Sequence, residues 1–551
     1  MLLISYLLLP VYYLVAGYGV LTLFRLRLKA AYMITLSVLL GVAVASVVPF
    51  LLQLLYVPLT PVTVFGALIL AGVALNTPGI LRIRRDGFTA FRQSLKPPPF
   101  RLLPYEIPFL AVFAFLVIVS IWRCYYLPPT SRDALSGPEA IAEFAVREHS
   151  MINSFFNVDL STTNNQFKSP FLISLQVITK MAGFPFGQIW LSAVFVSFTV
   201  FLYHALKEKL HPIIAGLLLL LFLMTPEMYA YTFMILYDYS NMIFFFLSLW
   251  FLFGYFRNKT ASWFSFSGLL MGVATYIRSE TVVLALLFLP PILLVLKREG
   301  MSGGKMALAI LSFFLPSLLG YYLPGPFYIG HYLPAHYDVG SLVNTNLSNW
   351  SPLFQRYSDI VTRLIASTFG IHLWGYIFFI AAALFIVEFF VPGRYDRNAR
   401  NWLYAIVVLY LGLGALGFAL PLMDLNDTTK REFFKMIPLL LLYLADNAAL
   451  IRLSQWISGW EGKPVVIGWP LAAGAGASPK PVVAAPKPRA GVPKPGAGAG
   501  SASAPGPNKG KPAPGRSSGP APGRSPDPTP GRSPGQSPGP TPGPSKKHRK
   551  K

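Results

Sequence analysis

A few ionisable residues interrupt a chain that is otherwise mostly apolar. Asp133 directly follows one hydrophobic run, and Asp238 stands where another begins. Arg278 and Glu280 share the short segment YIRSE between two further runs. Ionisable groups at the surface or at the depth of a membrane are costly, so they are candidates for function. Each also has a structural interpretation, because Asp238 could cap its helix and Arg278 could simply pair with Glu280.

A second group of basic residues lies in the segment DTTKREFFKMIPLL, at the mouth of a later apolar run. Lys430, Arg431 and Lys435 would be cations kept on the outer side of the membrane, which suggests an anion to bind, and phosphate is the obvious one. His331 and His336 in GHYLPAHYD could ligate a metal. Substrate contacts or plain loop structure are favoured for this pair, so a divalent metal stays open as a cofactor and is not predicted.

Composition defines the class of protein that positions these residues. Of the 551 residues, 54% are hydrophobic and 12% are charged, whereas soluble proteins carry about 25% charged residues. The single cysteine, Cys124, cannot form an intramolecular disulfide. The sequence therefore predicts an all-α polytopic membrane protein, held together by helix packing.

Apolar runs of spanning length recur along the chain, and a helix needs roughly 20 such residues to cross the hydrocarbon core. The expected spans are 2–24, 31–55, 58–76, 104–122, 187–206, 212–230, 238–256, 262–278, 281–296, 305–323, 370–391, 402–421 and 434–451. The chain is therefore predicted to have about 13 transmembrane helices.

Orientation follows from the basic loops, because Lys and Arg in short connections stay in the cytoplasm. Six basic loops fall on one side if the N-terminus is outside and the C-terminus is cytoplasmic. These loops are 25–29, 82–96, 207–211, 256–259, 297–305 and 393–400. The same arrangement places Asp133, Asp238 and Arg278 outside, in a multi-pass protein of the inner (plasma) membrane.

The polar interval Arg132 to Gly183 is predicted to form an outer loop. Glu139, Glu143 and Glu148 recur at about helical spacing, which indicates a surface helix. The stretch from Ser169 to Gly183 is too short and too polar to span. It is interpreted as an amphipathic or re-entrant helix on the outer surface, or as an ordinary loop helix.

The sequence divides into five parts. These are the first helices and a basic loop (1–103), a core (104–323) that contains the first outer loop (123–186), a second outer loop (324–369), the last helices (370–471) and a tail (472–551). From 470 to 551 there are 14 Lys and Arg against one acid, Asp527. The tail is rich in Pro, Gly, Ala and Ser, so we expect it to be disordered and drawn to anionic lipid rather than to nucleic acid.

The order of these features resembles the GT-C superfamily of membrane glycosyltransferases, which includes protein O-mannosyltransferases and aminoarabinose transferases acting on lipid A. An outer Asp after a span is followed by AIAEFAVREHSMINSFF and by the proline-led KSPFLISLQVITKMAGFP. A second Asp then opens LYDYSNMIFFFLSLWFLFGYF, and GLLMGVATYIRSETVVLALLFLPPILL follows. The resemblance covers 104–323 and, more weakly, 430–443.

The resemblance implies a donor sugar linked to a polyprenyl phosphate and an acceptor on a lipid, a glycan or a protein. It implies that Asp133 is a general base or orients the acceptor, and that Asp238 is the second catalytic acid. Arg278, Lys430 and Arg431 correspond to the cations that hold the donor phosphate, and Lys435 is grouped with them. Glu139, Glu280, His331 and His336 are placed as residues of the substrate cavity.

The leading prediction is therefore an integral membrane glycosyltransferase of inverting type that works on the outer face. A transporter or flippase of a lipid-linked saccharide is the alternative, and it predicts charges at mid-span and repeated halves. A membrane scaffold that recruits partners through its basic tail is a third possibility.

Overall fold

The structure is a computed structural model that describes residues 2–26, 28–86, 103–158, 165–184, 186–333, 350–391, 397–419 and 422–461. Every regular element in these ranges is a helix. The predicted all-α class is confirmed for this part of the chain. The predicted tail 472–551 lies outside the described residues.

The helices follow one another along the described chain in the order given below. The first are α1 (Leu2–Leu23), α2 (Ala30–Leu54), α3 (Pro61–Asp86) and α4 (Ile107–Tyr126). The next are α5 (Arg132–Leu135), α6 (Pro138–Glu148), α7 (Pro170–Met181), α8 (Ile189–Lys207), α9 (Pro212–Leu223) and α10 (Pro226–Ala230). Then come α11 (Tyr237–Asn258), α12 (Ala261–Ile277), α13 (Thr281–Leu286), α14 (Leu289–Arg298), α15 (Gly303–Tyr322), a π-helix (Leu323–Ile329) and α16 (Gly330–Tyr332). The last are α17 (Trp350–Thr368), α18 (Ile371–Trp374), α19 (Ile377–Phe390), α20 (Arg397–Ala419), α21 (Leu422–Ala445) and α22 (Ala448–Trp460).

Seven helical segments of the described chain are long and apolar enough to cross a membrane. They are Ala30–Leu54, Pro61–Leu81, Pro104–Tyr126, Ile189–Lys207, Tyr237–Asn258, Thr281–Arg298 and Gly303–Tyr332. The pair Glu432–Ala445 and Ala448–Trp460, bent by 54°, forms an eighth if it counts as one span. The remaining predicted spans coincide with shorter apolar helices, so the count of about 13 stays a prediction.

Helix α11 is the centre of the bundle. All residues from Tyr237 to Phe256 are buried, as expected for a helix that is apolar around its whole circumference. Helix α12 runs back beside it and packs closely on α15, because glycines line the contact. A Cβ on Gly320 would lie 2.4 Å from the backbone oxygen of Gly272. This contact fixes the end of α12, where Arg278 follows.

The contacts separate the two ends of the bundle. At one end, Lys29 Nζ lies 2.6 Å from Glu208 Oε1, and Lys259 Nζ lies 2.7 Å from Glu299 Oε1. The four residues belong to four of the predicted basic loops, so these loops lie at this end of the bundle. Asp238 lies at the other end of α11, which is 22 residues or about 33 Å long. Asp238 and these four basic loops thus lie at opposite ends of the bundle, and which end faces the cytoplasm stays a prediction.

Helix α7 is buried, which differs from the expected amphipathic or re-entrant surface helix. Residues Pro170 to Thr179 are all buried. Its polar side chains are satisfied inside the protein: Gln176 donates to Glu139 at 2.6 Å, and Thr179 donates to the Gly187 carbonyl at 2.6 Å. Polarity in this stretch therefore serves internal packing and not exposure to solvent.

Cys124, near the end of α4, is also buried. Its side chain is 2% exposed and its Sγ lies 3.8 Å from the Thr232 carbonyl oxygen. It behaves as a small packing residue.

Candidate active site

A cavity of about 400 Å³ opens at the acidic end of the bundle. Four predicted site residues, drawn from three separate parts of the chain, line it: Asp133, Asp238, Arg278 and Glu280. The remaining polar or aromatic lining includes Lys168, Ser169, Tyr237 and Tyr276. The lining also includes Pro324, Gly325 and Ile329 of the π-helix.

Asp133 is oriented by its surroundings and remains accessible. Ser131 caps the short helix α5, since its Oγ accepts a hydrogen bond from the Ala134 N–H at 3.2 Å. The Asn165 side-chain amide donates to Asp133 Oδ1 at 3.0 Å, and Lys168 Nζ lies 3.8 Å from Oδ2. The Asp133 side chain is 41% exposed. One carboxylate oxygen is thus held by an amide, while the other faces the cavity beside a cation.

Lys168 is a site residue that the sequence analysis missed. It lines the cavity, and its ammonium donates to Asn165 Oδ1 and lies 5.9 Å from the centroid of the Tyr237 ring. The Tyr237 hydroxyl in turn donates to the Ser169 carbonyl at 2.8 Å. A usable signal was present, because Lys168 is a basic residue on the predicted outer side, like Lys430.

Arg278 joins two carboxylates at the start of α11 and at the α12–α13 turn. Its Nη1 contacts Asp238 Oδ1 and its Nε contacts Glu280 Oε1. The predicted pairing of Arg278 with Glu280 is therefore present, and Asp238 is added to it. Asp238 does not cap its helix: the N-cap position is Leu236, and the Asp238 carboxylate turns to Arg278 within the first turn.

The turn that carries Arg278 and Glu280 is fixed from α11. The Asn241 amide donates to the Ala274 carbonyl at 2.7 Å and to Thr281 Oγ1 at 2.9 Å. These two bonds hold the last turn of α12 and the first residue of α13 together. The guanidinium therefore has a defined place in the cavity wall.

The charges of the turn are strongly coupled. Burial alone would lower the pKa of Arg278, but Asp238 and Glu280 raise it, so the guanidinium stays charged. Enclosure in the cavity would by itself raise the pKa of Glu280, but Arg278 and Lys435 lower it to about 2. Both groups are therefore ionised throughout the physiological pH range.

Of the three predicted phosphate-binding cations of α21, the structure describes the side chain of Lys435 alone. Lys435 is 1% exposed and donates to Glu432, which is itself 3% exposed. The Lys435 charge acts on Glu280, although Lys435 does not line the cavity. Lys430 and Arg431 belong to helix α21, and their side chains lie outside what the structure describes.

Two predicted cavity residues that the structure describes, Glu139 and His331, do not line this cavity. Glu139 accepts hydrogen bonds from Gln176 and from Lys180, the latter at 2.6 Å, so it ties α6 to the buried α7. His331 stacks on Phe327, with 6.4 Å between ring centroids. His336 lies outside the described residues. Among the residues that are described, no group of three or more His, Cys, Asp or Glu is arranged to hold a metal.

An all-helical bundle with a carboxylate and cations around one cavity is compatible with the resemblance to the GT-C glycosyltransferases, because such cations stabilise a developing negative charge. Residues 169–319 match a family model of that superfamily, described as dolichyl-phosphate-mannose-protein mannosyltransferase. The resemblance predicted from the sequence is therefore confirmed. No curated protein and no solved structure matches the chain.

The matched segment runs from the residue before α7 to α15, and it contains Asp238, Arg278 and Glu280. Asp133 and Lys168 precede it. The family implies a membrane glycosyltransferase that takes its sugar from a polyprenyl phosphate.

Proposed function

We propose that this protein transfers a sugar from a polyprenyl-phosphate donor to an acceptor hydroxyl or amine, at the cavity and on the outer face of the membrane. This proposal is supported by one observation: Asp133, Lys168 and Arg278 line the same cavity. The acceptor is a molecule of the cell envelope, on a lipid, a glycan or a protein.

In the proposed mechanism, Asp133 acts as the general base. As the acceptor attacks C1 of the sugar, its proton passes to Asp133, and the bond between C1 and the phosphate oxygen breaks. The electron pair of that bond stays on the departing polyprenyl phosphate. A direct displacement of this kind inverts the configuration at C1 and needs no covalent intermediate on the enzyme.

Lys168 and Arg278 are proposed to hold the donor phosphate. Arg278 can bind a phosphate through two N–H groups at once, and Lys168 supplies a point charge beside Asp133. Both side chains are partly enclosed, with 34% of Lys168 and 16% of Arg278 exposed. In such a site, the interaction of a cation with developing negative charge is stronger than in water.

Asp238 is proposed to act through Arg278. Its side chain is 8% exposed and is already bound to the guanidinium. It is therefore placed to position Arg278, while Asp133 has the accessible carboxylate. Lys430, Arg431 and Lys435 remain proposed contributors to phosphate binding from α21.

The proposal is tested with purified protein in lipid vesicles. Candidate polyprenyl-phosphate sugars are added together with an acceptor mixture, and donor consumption and product are followed by mass spectrometry. Formation of a glycosidic bond by the wild type, and its loss in Asp133→Asn, is the expected result. Movement of the intact donor across the vesicle membrane without bond formation would instead establish the transporter alternative.

A further inference from the structure

The two carboxylates that hold Arg278 are not equivalent. Asp238 belongs to the first turn of the central helix α11, and its side chain is 8% exposed. Glu280 lies on the turn between α12 and α13, and its side chain is 43% exposed through the cavity. The Asp238 carboxylate is thus enclosed, whereas the Glu280 carboxylate is partly open to the cavity.

A donor phosphate must compete for Arg278. The guanidinium has five N–H donors in one plane. Its Nη1 already contacts Asp238, and its Nε already contacts Glu280. A phosphate that approaches the same plane meets the like charge of both carboxylates. The more accessible of the two, Glu280, is the one that can withdraw.

Glu280 also has a second cation within electrostatic reach. The Lys435 ammonium contributes to lowering the pKa of the Glu280 carboxyl. Lys435 is held in place by Glu432 on α21. Lys435 is thus a second cation that stabilises the charge of the Glu280 carboxylate.

We propose that Glu280 competes with the donor phosphate for Arg278. The Glu280 carboxylate leaves Arg278 when the donor phosphate binds, and it returns after transfer and displaces the polyprenyl phosphate. Glu280 is in this sense a positioning residue. The inference rests on the proposed function of the same cavity.

The chemistry of the reaction gives this exchange a direction. The donor is a phosphodiester with one negative charge. Breaking the C1–O bond leaves a phosphomonoester, and phosphomonoesters carry about −1.5 to −2 charges at pH 7. Because Glu280 is an anion, it repels the product more strongly than the donor. Glu280 therefore costs some donor affinity and accelerates release of the product.

The test uses two probes, geranyl phosphate for the monoester product and methyl geranyl phosphate for the diester donor. Their Kd values are measured on the purified full-length protein by intrinsic tryptophan fluorescence. In Glu280→Gln, we expect Kd to fall on the order of tenfold for the monoester and about threefold for the diester, as removal of one nearby like charge requires. In transfer assays, the same variant should show a lower KM for the donor and a lower kcat.

Glu143→Gln is the matched control. Glu143 has the same 43% side-chain exposure, it is an acid of α6, and it does not line the cavity. The Glu143→Gln substitution removes the same charge and should leave both Kd values unchanged. Glu280→Ala is the second variant and should tighten binding in the same direction, and the melting temperature of each variant shows whether the fold is kept.

The outcomes separate the two proposals. If the wild type binds both probes and Glu280→Gln binds them equally well or more weakly, Glu280 is not a competitor and the inference is wrong. If Glu143→Gln tightens binding as much as Glu280→Gln, net charge explains the effect and the inference is also wrong. If neither the wild type nor any variant binds either probe, the proposed function fails together with the inference.

Discussion

Replacing Asp133 by Asn separates catalysis from folding, because the structure predicts very different sizes for the two effects. A general base contributes about 10²-fold to 10⁴-fold to a rate, and each tenfold corresponds to about 1.4 kcal/mol of barrier. Asp133→Asn should therefore raise the barrier by about 3 to 5.5 kcal/mol, which lowers the transfer rate at least about a hundredfold.

The cost in stability should be small. The ion pair of Asp133 with Lys168 is long, at 3.8 Å, and both side chains are more than a third exposed, so it is worth about 0 to 1 kcal/mol. An asparagine keeps one oxygen that can accept the hydrogen bond from Asn165. The melting temperature of the variant should thus stay within a few degrees of the wild-type value.

The assay is single-turnover consumption of the donor, with saturating donor and acceptor, followed by mass spectrometry. Binding of geranyl phosphate and the melting temperature are measured on the same preparations. Glu143→Gln serves as the control, because its side chain is 43% exposed, close to the 41% of Asp133. A folded Asp133→Asn protein that transfers sugar within threefold of the wild-type rate would refute the assignment of Asp133 as the base.

Other predictions concern the cations, the pH dependence and the tail. Arg278→Lys should weaken geranyl phosphate binding on the order of tenfold or more in the same fluorescence titration, since a lysine cannot contact Asp238 and a phosphate through a planar fork. Lys168→Met should weaken that binding on the order of tenfold with little change in melting temperature, because the Lys168 side chain is 34% exposed. The lowered pKa of Glu280, about 2, means that its ionisation stabilises the fold above pH of about 4.5 and that this stabilisation is lost as the pH falls towards 2. The melting temperature of the wild type should therefore drop relative to Glu280→Gln only in that acid range. Deletion of 472–551 should leave the transfer rate of the purified protein unchanged, whereas a scaffold would lose its function.

Charge in an apolar chain was the most informative sequence signal. Ionisable residues stand out against membrane-spanning runs, and the four that do so most clearly line one cavity: Asp133, Asp238, Arg278 and Glu280. The antiparallel direction of two helices explains how distant residues come together. Helix α11 begins and α12 ends on the same side of the bundle, so Asp238 and Arg278 meet although they are 40 residues apart.

Pairings between distant segments could not be read from spacing. Glu139 was expected to shape the cavity, but its partner Lys180 lies 41 residues further along the chain. The burial of α7 was missed for a related reason. Its Gln176 and Thr179 look solvent-exposed by composition, and only the fold shows that other parts of the chain satisfy their hydrogen bonds.

The buried position of Cys124 makes the chain a ready background for chemical labelling. It is the single cysteine of the sequence, and at 2% exposure it is shielded from thiol reagents. At Gly325, which lines the cavity, a Cβ would meet no atom within 4 Å, so Gly325→Cys introduces a reactive thiol without a clash. Modification of this thiol in intact cells by a maleimide that cannot cross the membrane would place the cavity on the outer side, and protection until the cells are lysed would place it in the cytoplasm.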